Sequence, residues 1–478
     1  MFKKHVIRLM VVAGFMLAPA VLSAQEFPIA LGRDSTFGGY AAFDGTNYLV
    51  VIMGDTVSQY SITAQLVSPT GSLVGSRISV GRTGTFGGGF VAFDGSNYLL
   101  VWKENNGNVN GRFINPSGDL VGTSFTIAAN VSNEHPGLYG LAYSDSTYLV
   151  IFVKVNGYLY GQRVSKTGNL TGGQIPISSN KAREISIAYD GTNYLVAWVE
   201  DTPYLDKDIY GQFVSKAGSI VSNNFLIDSG PNISWNPTSL AFDGSRYLLA
   251  FHETPDTNDI WTLLGSFITA TGTIEETITI CDSTKNPFLP IVAFGNNNYL
   301  ITWTQFSNLS LMGRFYDTAG VPIDTPFVIF DTINNKIPLG ICMFGGNKFL
   351  VVATRTKVDT ANSQFIFTDG DVYGRFLDLP VGVEDKTNRK PAKYLLFQNH
   401  PNPVSRATTI AFSLPRLGYA TLKIYNALGE AVATLVSQEL PAGRHETKWN
   451  VTGFPNGTYF YRLHAGTFSE TKKLVLLR

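Results

Sequence analysis

Three glutamates occupy one recurring position of this chain: Glu104, Glu200 and Glu253 each stand two residues beyond an aromatic residue near the end of a strand-like run. Glycoside cleavage needs two carboxylates about 5–10 Å apart, so acids from such a column are the candidate catalytic residues. The rest of the column is Gly54, Lys154, Gln305 and Arg355. Ordinary Glu–Lys or Glu–amide contacts are therefore the simpler account of the glutamates. Two acidic stretches, Asp201, Asp206, Asp208 and Asp256, Asp259, invite a metal, but neither has the Asp-x-Asp-x-Asp-Gly spacing of a calcium loop. No cofactor is expected, with calcium the one ion to consider. His135 and His252 fall at no ligand spacing, which argues against a zinc site or a Ser-His-Asp triad. No phosphate-cradling glycine loop precedes a helix. Trp235 and Trp261 break the repeat and lie in or beside segments of variable length, where an indole can stack on a sugar or peptide. With Asp206 and Asp256 they are the candidate binding residues. Trp102, Phe152, Trp198, Phe251 and Trp303 recur from repeat to repeat, which assigns them to the core.

The elements that carry these residues follow from one phrase, Phe43-Asp44-Gly45-Thr46-Asn47-Tyr48-Leu49-Val50. It returns from Phe93, Tyr143, Tyr189, Phe242, Phe294 and Phe344. Each copy reads as four strands. A short apolar run ends at the Phe or Tyr, and Asp-Gly then marks a hairpin, because the turn needs positive φ. The second strand, such as Tyr98-Leu99-Leu100-Val101-Trp102, is apolar on both faces, as in a sheet covered on both sides. The third contains Gly111, Gly161, Gly211, Gly265, Gly313 or Gly374, with Ala64 in the first copy. A glycine inside a strand admits a close neighbour, expected here to be an aromatic ring. A turn ending in glycine leads to a fourth strand such as Phe125-Thr126-Ile127. The seventh copy lacks a fourth strand, and Phe27-Pro28-Ile29 matches the missing phrase.

Four-stranded units of about 50 residues suit the blades of a β-propeller. The expected fold is all-β: a seven-bladed β-propeller over 25–380, closed by its N-terminal strand, then a linker at 381–393 and a small β-sandwich at 394–478. The first–second and third–fourth turns are short. The fourth–first and second–third connections vary (Asp228 to Pro237, Asp201 to Ile209, Glu253 to Ile260, Arg355 to Val372) and share one face of a propeller, where binding is expected.

Composition narrows the function classes. With 15% charged residues, 44% hydrophobic and net charge zero, the chain is neither disordered nor built for nucleic acid. Residues 1–24 have signal-peptide form: Lys3, Lys4 and Arg8 precede an apolar stretch that ends in Leu22-Ser23-Ala24. No later run is long enough to span a membrane, so no transmembrane segment is expected in the mature chain. Residues 25–380 carry 20 Lys and Arg against 30 Asp and Glu, whereas residues 381–478 carry 13 against 6. Such a split suggests two domains with different partners. Cys281 and Cys342 lie in non-adjacent units and are expected as thiols.

The repeat phrases are similar to those of bacterial extracellular repeat proteins. The C-terminal module closely resembles the type IX secretion C-terminal sorting domain (type A), related to the Ig-like domain of flagellar hook-capping proteins. The resemblance rests on Pro401-Asn402-Pro403, Ile410-Ala411-Phe412-Ser413-Leu414-Pro415, Leu422-Lys423-Ile424-Tyr425-Asn426, Leu440-Pro441-Ala442-Gly443, Gly457-Thr458-Tyr459-Phe460-Tyr461-Arg462-Leu463 and Lys473-Leu474-Val475-Leu476-Leu477-Arg478. It implies export through both membranes of a Gram-negative bacterium, the secretion machinery as partner, and release or surface attachment. The expected function is binding of glycan or protein (adhesion, glycan capture) through the variable-loop face. A polysaccharide-degrading enzyme and a passive structural surface protein are the alternatives.

Overall fold

The computed structural model describes residues 25–31, 37–54, 61–83, 89–132, 138–200, 207–230, 239–253, 261–333, 336–359, 366–379, 394–399, 402–441, 443–466 and 468–477. The signal-peptide reading of 1–24 and the linker at 381–393 lie outside them. The chain divides into two compact units, 1–381 and 382–478.

The N-terminal unit is antiparallel β-sheet built from a repeated four-strand motif. The first motif runs Phe37–Phe43, Tyr48–Met53, Ser61–Val67 and Leu73–Arg82; the second, Gly89–Phe93, Tyr98–Lys103, Val109–Ile114 and Leu120–Ala128. The fifth runs Ser239–Phe242, Arg246–Glu253, Thr262–Thr269 and Ile274–Cys281; the sixth, Pro287–Gly295, Asn298–Gln305, Ser310–Asp317 and Phe327–Phe330. The third and fourth motifs share the 20-residue strand Leu170–Tyr189 and so form a single seven-stranded sheet. There the chain passes from one motif to the next within a strand instead of through a loop, Lys181 pairing with Tyr158 of the third and Ala182 with Glu200 of the fourth. In the seventh motif Lys336–Gly345, Lys348–Asp359 and Ile366–Leu377 are completed by Phe27–Ala30, which pairs antiparallel with Ile366–Leu377.

Burial explains the second strands. Tyr98 to Lys103 are all buried, because each sheet is covered on both faces by its neighbours. Among the described residues, seven apolar clusters each join two successive motifs. The cluster of Ile29, Tyr48, Ile52, Leu350 and Val352 joins the seventh to the first. The first strands likewise lie against one another around a closed cycle, with Lys336–Gly345 against Phe37–Phe43. The recurring aromatic positions are core: Trp102, Trp198 and Trp303 are all buried.

The third-strand glycines do admit close neighbours. A Cβ on Gly211 would sit 2.6 Å from the Phe225 ring, and one on Gly374 would strike Phe27. The neighbour is aromatic only where the fourth strand begins with Phe. At Gly161 and Gly265 the gap is filled by Leu149 and Ile177, or by Ile280 and Leu248. The Asp-Gly hairpins are four-residue loops. In each, the Asp carboxylate accepts two backbone N–H groups, Thr46 and Asn47 for Asp44, and the glycine takes φ near +90° to +100°.

Two expected loops are partly strand. Pairing of Lys357 with Thr368 and Asp359 with Ile366 extends a hairpin arm into the Arg355–Val372 connection. Lys207 and Asp208 pair with Gly230 and Ser229, which shortens the connections on either side.

The C-terminal unit has two sheets around one core. Leu395–Leu396, Ala407–Leu414 and Gly443–Asn450 form one; Ala431–Leu440, Gly418–Tyr425, Gly457–Ala465 and Phe468–Leu476, in that order, form the other. Phe412, Leu422, Trp449, Tyr461 and Leu474 meet between them.

Tyr48, Tyr98, Tyr148, Tyr194 and Tyr247 are fully buried at the heads of second strands. Each hydroxyl donates to a carbonyl in the first hairpin of the preceding motif: Tyr98 to Asn47 at 3.1 Å, Tyr194 to Thr147 at 2.9 Å, and Tyr48 to Gly345 at 2.6 Å. Tyr98→Phe removes one such bond while the Asn47 carbonyl keeps the Asp44 N–H at 3.0 Å, a loss of about 1 kcal/mol. Phe27→Ala opens a gap over Gly374 at the seventh sheet and is expected to cost about 2–4 kcal/mol. Thermal and urea unfolding of the full chain checks both.

Candidate functional site

Strand direction puts the second–third and fourth–first connections at one end of every sheet. The rim column lies at that end, and its members are satisfied in different ways. In the second motif Glu104 sits on a tight turn, where its carboxylate accepts from Asn106 Nδ2 at 3.1 Å. Lys154 places its ammonium 4.4 Å from the centroid of Tyr160. Arg355, buried, pairs with Glu26 at 2.8 Å and lies over the Tyr373 ring at 4.8 Å. Glu104 and Lys154 find their partners within their own motifs, whereas Arg355 also donates Nε to the Asp331 carbonyl at 3.3 Å and lies over the Phe330 ring at 5.3 Å, both in the sixth motif.

The fourth and fifth motifs gather acids. Glu253 projects from the same face of its strand as Phe251, towards the fourth motif. Asp228 faces it from the end of Ile220–Gly230. Burial first, then the charges of Glu253 and Asp208, pushes the Asp228 carboxyl up to about 6. Asp208 also accepts from the Tyr210 hydroxyl at 3.5 Å, and burial together with the charges of Asp208 and Glu200 raises that phenol. Glu200 is buried. Asp208, Asp228 and Glu253 thus share one electrostatic neighbourhood; Glu200 acts on Tyr210 from the face it shares with Trp198, towards the third motif, and neither it nor Glu104 is among the charges acting on Asp228. A carboxyl whose pKa is raised beside other acids is an arrangement that suits a general acid. Asp228 was read from sequence only as the end of a loop. Its signal would have been pairing with Ile209, which no spacing reveals.

On the other face of the fifth motif lies an aromatic box. His252 is fully buried and stacks on Phe288, with centroids 6.2 Å apart and planes 9° apart. Trp261 packs 5.3 Å from Phe288 and 6.1 Å from both His252 and Phe306. Its backbone N–H donates to Asn286 Oδ1 at 3.3 Å. The indole is partly exposed, so one edge remains available to a ligand while the rest is packing. Neither ring nitrogen of His252 finds a partner among the described residues, and burial pushes its pKa down to about 3.

Trp235, Asp206 and Asp256 lie outside the described residues. Among the described residues, no three His, Cys, Asp or Glu side chains converge on a possible metal position. Cys281 and Cys342 are free buried thiols, pushed up to about 11 and about 12 by burial.

Two opposite pH dependences follow. Burial holds the folded pKa of His252 below its ordinary value of 6.5, so its contribution is present above that pH. It is lost as the pH falls towards about 3, at about 1.4 kcal/mol per pH unit where only the unfolded chain takes the proton. His252→Phe should flatten that acid limb of a Tm-against-pH curve; an unchanged limb would exclude the histidine as its source. Asp228 titrates upwards from 3.8 to about 6, so its stabilisation is complete below 3.8 and is lost as the pH rises through 6. Asp228→Asn should therefore gain Tm over the wild type at pH 8 and lose that gain at pH 4.

Residues 399–477 match the family described as secretion system C-terminal sorting domain. No curated protein matches the chain. Among solved structures, a fungal alcohol oxidase of the AA5 family in complex with copper is similar at 13% identity and TM-score 0.46, covering 95% of this chain and 98% of that one. A polysaccharide lyase is similar at 10% identity and TM-score 0.48, covering 72% and 90%. An acylaminoacyl peptidase from Pyrococcus horikoshii is similar at 9% identity and TM-score 0.43, covering 79% and 58%. No activity passes from these proteins to this chain. Among the described residues, no helix is long and apolar enough to cross a membrane. The C-terminal unit carries a type IX secretion sorting domain, and the protein it belongs to is sent to the cell surface or the extracellular space.

Proposed function

We propose that this is a surface-displayed or released binding protein whose N-terminal unit, 25–380, is a seven-bladed β-propeller closed by Phe27–Ala30. In this reading residues 1–24 are a cleaved signal peptide, residues 381–393 are a linker, and the sandwich at 394–478 is Ig-like. The propeller engages glycan or protein through the end that carries the second–third and fourth–first connections. One observation carries the reading: connections of dissimilar length, among them those of the fourth and fifth motifs, leave the strands at one end, beside the partly exposed Trp261, while the opposite end repeats two short turns. A rigid scaffold with variation confined to one end is how binding surfaces are built. Trp235, Asp206 and Asp256 belong to the same connections and are proposed as ligand contacts.

The second reading, cleavage of a polysaccharide, is favoured by the raised carboxyl of Asp228 beside Glu253 and Asp208. It moves the candidate acids from Glu104 to Asp228, with Glu253 and Asp208 beside it.

Incubating the purified protein with soluble and insoluble polysaccharides separates the two. Depletion of protein with intact polymer supports binding, and Trp235→Ala and Trp261→Ala should each weaken it at least five-fold. Released oligosaccharides that disappear in Asp228→Asn would replace the binding reading with the enzymatic one.

A further inference from the structure

The four-stranded sheet of the C-terminal unit turns one face to its core and the other outward. Register fixes what the outward face carries. Thr421 pairs with His464 and Ser469 in one row, Lys423 with Arg462 and Thr471 in the next, and Tyr425 with Phe460 and Lys473 in the third. The alternate residues Leu422, Ile424, Tyr461, Leu463 and Leu474 are buried in the core. Three cations therefore project from three adjacent strands, and these rows contain no acid. Glu470 and Lys472 fall on the other side of the pleat, where they pair with each other at 3.5 Å. The nearest carboxylates by register are at the ends of the edge strand: Glu439 opposite Tyr419, and Glu430, held by Asn426 Nδ2 at 2.7 Å.

A shallow cavity of about 230 Å³ opens on this face, lined by Tyr425, Asn426, Phe460, Arg462 and Thr471. The Arg462 guanidinium lies 5.2 Å from the Tyr425 centroid, and its Nε donates to Thr471 Oγ1 at 2.8 Å. The side chain is thus fixed over an aromatic floor, and among the described residues no carboxylate pairs with it. Leu428, in the turn that walls the cavity, is 84% exposed.

We infer that this face is the surface through which the sorting domain docks on the secretion machinery, and that its partner is an acidic protein surface. The inference rests on the sorting reading and adds the site and the partner's chemistry. An oriented, unpaired guanidinium flanked by Lys423 and Lys473 selects a carboxylate. The aromatic pair and the exposed Leu428 offer apolar area that a protein side chain can cover and a polyanionic sugar chain uses poorly. The excess of 13 basic over 6 acidic residues in 381–478 complements such a partner.

The test uses the full chain in a bacterium that has a type IX system, following the ratio of secreted to periplasmic protein. A chain ending at residue 381 should stay in the periplasm; if it is secreted like the whole chain, the sorting reading fails and this inference with it. With that control retained, Lys423→Glu/Arg462→Glu/Lys473→Glu should lower the secreted fraction at least ten-fold. Lys448→Glu, exposed on the other sheet, should not change it. Because charge reversal can impair folding, the neutral Arg462→Gln, with its melting temperature checked, should lower secretion at least three-fold. Secretion of both face variants within two-fold of wild type would overturn the inference. Purified full chain should also bind outer-membrane vesicles of the same host in a salt-sensitive manner, and lose that binding once the vesicles are stripped with protease. Undiminished binding to stripped vesicles that Lys423→Glu/Arg462→Glu/Lys473→Glu abolishes would assign the face to an anionic glycan and overturn the choice of a protein partner.

Discussion

The N-terminal unit depends on a contact that no single motif can make alone. A tyrosine at the head of each second strand from the first motif to the fifth is buried against the preceding motif, and its hydroxyl reaches that neighbour's first hairpin. Burying a phenol without a partner would cost more than its ring gains, so the hydroxyl and the hairpin carbonyl must meet at a fixed spacing. Burial pushes these phenols well above their ordinary range. The link is also directional: each motif reads the turn of the one before it. The chain of links ends only because Tyr48 finds Gly345, which lies 297 residues further along the sequence. A repeat array that closes in this way has no unsatisfied end, which an open stack would have to cap.

That closure divides the two ends of the sheets by role. The end with Asp-Gly turns is used up: Asp44, Asp94, Asp190 and Asp243 each fold their own hairpin by accepting two backbone N–H groups, and the next motif's tyrosine seats on that hairpin or beside its carboxylate. Nothing there can vary without loosening a neighbour. At the opposite end the bonds between motifs do not repeat, as with Thr304 Oγ1 to the Pro338 carbonyl and Arg355 Nε to the Asp331 carbonyl, and the connections differ in length. The cluster around Asp228 and the box around His252 both lie at that end, on opposite faces of one strand that alternates Phe251, His252 and Glu253.

The repeat phrase made the four-strand motif, the glycine gaps and the strand missing from the seventh copy legible in the sequence, because each is a local pattern copied many times. The sorting domain was legible for another reason: its phrases are specific and cover nearly the whole module. The hydroxyl links were not read, although the tyrosine stands in the quoted phrase, because a repeated aromatic residue reports burial and not what its polar end meets. Asp228 was hidden for the same reason as the continuous strand between the third and fourth motifs. Both depend on where pairing stops, and hydrophobic pattern marks the middle of a strand better than its end. Of the residues singled out for chemistry, Glu253 acts on Asp228 and Glu200 on Tyr210, while Glu104 is held by Asn106 in a turn of its own.

The sixth and seventh motifs show what happens where the link is altered. Phe349 stands where a tyrosine would be, so the seventh motif has no hydroxyl to offer the sixth. The hairpins of both motifs also lack the aspartate: Gly295, Asn296 and Asn297 turn the sixth, with Asn296 and Asn297 at φ 47° and 57°, and Gly345, Gly346 and Asn347 turn the seventh. The bond is restored from the other side. Asn296 Nδ2 of the sixth hairpin donates to the Asn347 carbonyl of the seventh at 3.2 Å, so the donor now comes from the earlier motif. Ring packing changes with it, as Phe344 lies against Gly295 and Phe43 against Gly345, each where a Cβ would collide. At the sixth–seventh junction asparagine therefore does what tyrosine does elsewhere, whereas the seventh–first junction keeps the Tyr48 hydroxyl and changes only the turn it meets. Loss of the carboxylate alone does not remove the link: the third motif turns on Ser144, whose hydroxyl accepts the Ser146 and Thr147 N–H groups, and Tyr194 still donates to Thr147. The constraint being kept is a satisfied polar contact between successive hairpins, whichever side supplies the donor.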